Sequence, residues 1–423
     1  MPHDDLSPPN VSAARFGRPE AIDPQPTLFA REAIRGLRAS RIREVANAGI
    51  DLPDVLPFWF GESNEVTPQF IRDAARDALA RGATFYTHNL GIAPLRNALA
   101  DYASGLHGAT ASDHIAVTSA GVNALMLAAQ LVVGPGDRAV AVTPLWPNVV
   151  EIPKILGATV ETVSLTFGDD GWTLDVDKLI ARLTPGTRVL IVNSPSNPTG
   201  WVMPREAQQR VLDHCRTHGI WILADEVYER LYFANGRTSG STAAPSFLDI
   251  ASRDERVICV NSFSKTWLMT GWRLGWMVLP AALTEDLGKL IEYNTSCAPQ
   301  FVQEAGVVAV RDGDAFTRDL VSRLKIARDH LVHELSVLPG VDVHTPEGAM
   351  YVFFRLAGAT DSLAYCKRLV REAGLGLAPG SAFGDEGEGF VRWCYACDPA
   401  RLDQGVSRLR EFLTRESAVS RRA

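Results

Sequence analysis

From about residue 113 the chain repeats a short apolar run, a polar loop and a helical stretch. The runs are Ile115–Val117, Ala139–Val142, Thr159–Val163, Val189–Val192, Trp221–Ala224 and Val257–Val260. Apolar runs this short, alternating with helical segments, predict a mostly parallel sheet covered by helices on both faces. Upstream, the pattern predicts a helix over 31–49. It also predicts amphipathic helices over 68–81 and 94–106, with Pro68 and Pro94 at or near the first turn, where a missing N–H is no loss. Beyond about residue 300 the order changes to helix, strands, helix, with strands expected near 341–344, 350–355 and 390–395. Residues 1–30 hold six prolines and little periodicity, so they read as an extended arm. The expected division is therefore an arm over 1–30, a large α/β domain over 56–300, and a smaller α+β domain built from 31–55 and 301–423.

Composition narrows the class. The chain has 423 residues, 46% hydrophobic and 22% charged, which is ordinary for a globular protein of two or three domains. A net charge of −7 lacks the basic footprint of a nucleic-acid binder, so no nucleic-acid partner is expected. The first twenty residues contain no apolar stretch of signal-peptide type, and no run of eighteen apolar residues occurs. The expected compartment is the cytoplasm, with no membrane partner. Six scattered cysteines do not form a disulfide framework. The pair in Cys394-Tyr395-Ala396-Cys397 lacks the second ligand pair or thioredoxin-like setting of a metal or redox site, and reads as packing.

Ligands of such sheets bind beyond the carboxyl ends of the strands. Three runs end in polar groups there: Asn193 to Gly200, Asp225-Glu226-Val227-Tyr228, and Asn261-Ser262-Phe263-Ser264-Lys265. Lys265 stands out because the chain has six lysines against thirty-six arginines. It lies among hydroxyls, aromatics and glycines, where a partly desolvated amine loses its proton and becomes nucleophilic. Ser262 and Ser264 before it and Arg273 after it could hold a phosphate. Together these residues point to a lysine–aldehyde Schiff base with pyridoxal 5'-phosphate.

The segments Asn193–Gly200, Ala224–Tyr228 and Ser262–Gly275 resemble the signature segments of the class I/II aminotransferases, fold-type I pyridoxal-phosphate enzymes similar to aspartate aminotransferase. The resemblance extends to Phe85-Tyr86, to Gly91–Arg96, and to Pro379–Gly384 with Val391-Arg392, and so covers roughly residues 50 to 415. It implies an amino group moved from an amino acid to a 2-oxo acid by a ping-pong mechanism. By resemblance, Lys265 is the Schiff-base lysine that shuttles a proton, and Asp225 pairs with the pyridine nitrogen. Tyr228 and Asn197 bond the ring's phenolic oxygen, with Asn197 also near the substrate. Ser262, Ser264 and Arg273 hold the phosphate, as do the main chains of Gly121 and Val122 at a helix start. Trp146 stacks on the ring. Tyr86 reaches the cofactor of a second subunit, which implies a homodimer with shared active sites. Arg392 grips the α-carboxylate. The apolar stretch Phe58-Trp59-Phe60 leads to Gly61 at the substrate entrance. With Val122 unable to pair with an anion, it implies neutral or aromatic amino acids.

Two other classes fit less well. Gly374 to Gly380 misses the dinucleotide-binding spacing by one residue and lies late in the chain. A pyridoxal-phosphate-sensing transcription regulator would need a DNA-binding domain, and the arm is short and not basic. A β-lyase or decarboxylase on the same fold stays open, because the same Lys, Asp and Arg would serve it.

Overall fold

The computed structural model describes residues 29–233 and 243–420. The expected arm lies almost wholly outside them. Of the described residues, 29–36 belong to a unit of their own, with a one-turn helix Glu32–Arg35. The single helix expected over 31–49 is two: Glu32–Arg35 and Arg41–Gly49. Gly36 ends the first. Ser40 starts the second, its hydroxyl accepting from Arg43 N at 3.3 Å.

The six predicted runs are the strands β1 (Ile115–Thr118), β2 (Arg138–Thr143), β3 (Thr159–Ser164), β4 (Thr187–Asn193), β5 (Trp221–Asp225) and β6 (Val257–Ser262). A seventh, β7 (Gly275–Val278), completes the sheet in the order β1-β7-β6-β5-β4-β2-β3. β2 through β6 pair in parallel, whereas β7 runs antiparallel between β1 and β6. Alternation along the strands sorts residues to two cores. Val140, Val142, Leu190 and Val192 face one, and Ala139, Ala141, Val189 and Ile191 face the other. Helices cover both sides. Arg205–His218 brings Val211, Leu212 and Cys215 to the first core. Gly121–Val132 brings Leu125, Ala128 and Val132 to the second.

The apolar pattern did not yield β7 because it begins at Gly275, the end of the Ser262–Gly275 segment, which reads as site chemistry rather than as a strand. The helices expected over 68–81 and 94–106 are Gln69–Ala80 and Ala93–His107. After Ala298 come the helices Gln300–Asp312 and Asp314–Ser336, then an antiparallel sheet. Its strands are β8 (Val341–Asp342), β9 (Tyr351–Leu356), β10 (Ala378–Pro379) and β11 (Phe390–Cys394), in the order β8-β9-β11-β10. A third core joins this sheet to the helices Asp314–Ser336, Ser362–Ala373 and Pro399–Ser420, with Phe58 and Trp59 in it. Cys394 and Cys397 are free thiols; Cys394 is part of this core and Cys397 packs against it. Among the described residues, no helix is long and apolar enough to cross a membrane.

The helix Asp314–Ser336 offers an internal test of this packing. Leu331 is fully buried and Ile326 is 62% exposed. Leu331→Ala should cost about 2–5 kcal/mol through a cavity. Ile326→Ala should stay within about 0.5 kcal/mol. Urea unfolding midpoints of the two variants check this, and equal shifts would contradict the assigned helix faces.

Candidate active site

Parallel pairing puts the ends of β4, β5 and β6 side by side: Asn193 pairs with Asp225, and Asp225 with Val260. Beyond these ends lies a cavity of about 700 Å³. Asp225, Tyr228, Lys265, Asn197, Arg392 and Trp146 all line it, as do Gly61, Gly121, Val122, Ser262, Ser264 and Arg273. Residues more than 330 positions apart in the chain thus face one space. Tyr86 does not line it and is 88% exposed.

Lys265 is half-buried, with Nζ donating to Gly61 O at 2.5 Å. Its pKa is lowered to about 8, chiefly by burial, while Arg392 and Arg273 add to the lowering and Cys394 and Glu62 oppose it. Near neutral pH an appreciable share of such amines is therefore uncharged and nucleophilic. Asp225 is buried, and burial raises its pKa to about 7 against the opposing pull of Val227 N and Lys265. Among the described residues its carboxylate accepts one long bond, from Val227 N at 3.4 Å. A buried carboxylate so thinly partnered suits a cation that arrives with a ligand.

Asn193 ties this corner together. Its Nδ2 donates to Asp225 O at 2.9 Å and its Oδ1 accepts from Asn197 N at 2.7 Å. Asn197 Oδ1 in turn accepts from Arg392 Nη1 at 2.7 Å. Arg392 arrives from β11 of the second sheet, is 2% exposed, and also donates from Nη2 to Trp59 O. Its guanidinium lies over the rings of Tyr351 and Phe383, 4.4 and 4.9 Å from their centroids. No carboxylate of the described residues pairs with it, and its buried Nε has no hydrogen-bond partner. A buried guanidinium in this condition calls for an incoming anion. Tyr228 bonds Tyr351, oxygen to oxygen, at 2.6 Å, and burial raises its phenol well above the usual range.

An anion cradle occupies another wall. The helix Gly121–Val132 begins without a side-chain cap, leaving first-turn N–H groups free beside Ser262, Ser264 and Arg273. Gly275 is needed here because a Cβ would come within 2.5 Å of Ala120 C and Gly121 N. Ala120 holds a positive φ of 121°, which a side chain rarely tolerates. At Gly61 a Cβ would lie 1.9 Å from the Tyr351 hydroxyl. The uncapped helix start, the amine, the thinly partnered Asp225 and the orphaned Arg392 Nε together fit a phosphorylated, aldehyde-bearing heterocycle and a carboxylate substrate.

Sequence reasoning did not single out Tyr351, Glu62 or Arg43, which also line the cavity. Tyr351 sits in an apolar strand pattern that reads as core, and Arg43 is one arginine among many. Phe58 was expected at the entrance but is buried against Trp393, with ring centroids 4.9 Å apart. It is a core residue because β11 passes directly over it, Cys394 N donating to Phe58 O.

The chain matches the aminotransferase class I and II family over residues 59–409 and belongs to that family. It is an aminotransferase of fold type I, a family whose members generally depend on pyridoxal phosphate. It is 30% identical over 392 residues to an aspartate aminotransferase of Pyrococcus horikoshii, covering 92% of this chain and 98% of the relative. It is 31% identical over 388 residues to aromatic-amino-acid aminotransferase 2 of Thermococcus litoralis, covering 90% and 97%. The structure of N-succinyldiaminopimelate aminotransferase from Mycobacterium tuberculosis superposes with a TM-score of 0.84 at 28% identity, over 90% of this chain and 99% of that one.

The state of Asp225 yields a test on the cofactor-stripped protein. Its folded pKa of about 7 lies above the unfolded value of about 3.9. The unfolded chain therefore releases this proton first, and stability falls as pH rises from about 4 to about 7. The slope from this group is at most about 1.4 kcal/mol per pH unit. Asp225→Asn should lack that component, so its stability relative to wild type should rise between pH 5 and 7. Parallel urea midpoints for the two proteins would rule this out.

Proposed function

We propose that pyridoxal 5'-phosphate is held at Lys265 and that the cavity receives an amino acid and then a 2-oxo acid in turn. The observation that carries this reading is the pairing of a low-pKa amine with a buried, thinly partnered carboxylate in one cavity. When bound, the cofactor supplies an aldehyde for the amino group and a ring that accepts the electron pair released at Cα. The chain's residues do the rest. Asp225 holds a proton on the ring nitrogen by placing a buried negative charge beside it. Tyr228 and Asn197 present donors to the ring oxygen, and Trp146 covers a ring face. Ser262, Ser264, Arg273 and the N–H groups of Gly121 and Val122 anchor the phosphate. Arg392, set by Asn197 and Trp59 O, binds the α-carboxylate of both acids. Lys265 Nζ takes the Cα proton and returns it, a role that its lowered pKa suits.

We take residues 56–300 as the cofactor-binding domain and 301–423 as most of the smaller one. The seven-stranded sheet within 115–278 and the four-stranded sheet within 341–394 support that division. We also propose a homodimer in which Tyr86 serves the partner's cofactor. Its exposure, with Phe85 also 75% exposed, supports this role.

Borohydride reduction of the holoenzyme should fix the cofactor on Lys265 by peptide mapping, and an adduct on another lysine would overturn the assignment. Lys265→Ala and Asp225→Ala should each lose on the order of 10²–10⁴-fold or more in turnover with the fold intact. The assay should show keto-acid-dependent amino transfer rather than release of pyruvate and ammonia, as a β-lyase would give. Mixed dimers of Lys265→Ala with Tyr86→Ala should recover activity that neither parent has. No recovery in dimers verified as mixed would refute the shared site.

A further inference from the structure

Four cationic side chains line the active-site cavity: Lys265, Arg273, Arg392 and Arg43. The proposed mechanism uses the first three. Arg43 is left over. It belongs to the helix Arg41–Gly49, whose orientation is set by buried Ile42, Val45, Ala46 and Gly49. The neighbouring charges are engaged elsewhere: Arg38 with Asp385, Arg41 with Ser381 O, and Glu44 with Lys367. The Arg43 guanidinium has no carboxylate within ion-pair range among the described residues. It rests instead over the ring of Phe60, 5.4 Å from the centroid, and Phe60 also lines the cavity. That contact steadies the long side chain while leaving its N–H fork free for a planar anion.

The cavity's two carboxylates do not fill this need. Asp225 lies at the end of β5 beside Val227, and Glu62 accepts from Thr270 Oγ1 at 3.4 Å. The wall otherwise includes Val122 and Trp59, which carry no charge. Val122 by itself implied a neutral substrate, yet the structure brings in a cation from a different part of the chain. We propose that Arg43 is a specificity-determining residue that binds a carboxylate on the substrate's side chain. The preferred donors and acceptors are then dicarboxylic amino and oxo acids, held at one end by Arg392 and at the other by Arg43. This inference rests on the reading of the cavity as an amino-acid site.

The test compares acids with their amides on the holoenzyme: aspartate with asparagine, and glutamate with glutamine. Wild type should favour the acids in kcat/KM. Arg43→Met should lower kcat/KM for the acids by roughly tenfold, mainly through KM, and leave the amides within about twofold. Arg43→Lys should restore part of the acid preference, because charge survives without the planar fork. A second arm needs no turnover: succinate and butyrate are titrated against the bound cofactor's absorbance. Succinate should bind more tightly than butyrate to wild type, and Arg43→Met should remove the difference. Equal losses for acids and amides, or a succinate preference that survives in Arg43→Met, would overturn the proposal. Absence of amino transfer with every donor would instead refute the transaminase reading, and the succinate arm would still decide the role of Arg43.

Discussion

The carboxylate of Asp225 is the constraint around which the site is arranged. It is buried at the end of a central strand, and the one long bond it accepts among the described residues, from Val227 N, does little to offset the loss of hydration. The charged form of such a group costs stability unless a positive charge stands beside it, and otherwise burial favours the protonated acid. The fold makes that cost tolerable by supporting the backbone around it. Asn193 and Ser194 both donate to Asp225 O, so the main chain there is well held while its carboxylate stays available. A site that is unfavourable alone and favourable when filled is preorganised for its ligand.

The second sheet brings Arg392 into the cavity, where the proposed reading gives it the substrate's α-carboxylate. Arg392 leaves β11 and reaches Asn197, whose own backbone is fixed by Asn193. Arg392 and the backbone of Asp225 are therefore linked through the hydrogen bonds of Asn197 and Asn193. A shift of β11 would change the orientation of Asn197 as well as the position of the guanidinium. The position of the guanidinium thus depends on packing in the core that holds Phe353, Phe383 and Trp393.

Much of this was legible in the sequence. The apolar runs located six of seven strands, since a buried parallel strand has little choice of composition. The residues at their ends named the amine, the carboxylate and the two serines that line the cavity. The rest depended on contacts that no local pattern carries. β7 was hidden because it begins at the end of the Ser262–Gly275 segment, which reads as site chemistry. Phe58 read as an entrance residue, although β11 packs over it. Tyr351 read as core and is core, but its hydroxyl meets Tyr228 only because β9 passes the end of β5. Arg43 matters through the angle at which its helix meets the cavity, and that angle is set by residues distant in the chain. The family match covers residues 59–409, so the helix that bears Arg43 lies outside it.

The scarcity of lysine has a consequence for chemoselectivity. Four of the five other lysines are paired with carboxylates: Lys154 with Glu151, Lys289 with Asp286, Lys325 with Asp329 and Lys367 with Glu44. Positive charge elsewhere is carried by guanidinium groups, which do not condense readily with aldehydes under mild conditions. An electrophile in the surrounding solution therefore meets few competing amines on this protein. The choice of arginine across the surface acts as a background of inert cations, against which one reactive nitrogen is readily distinguished.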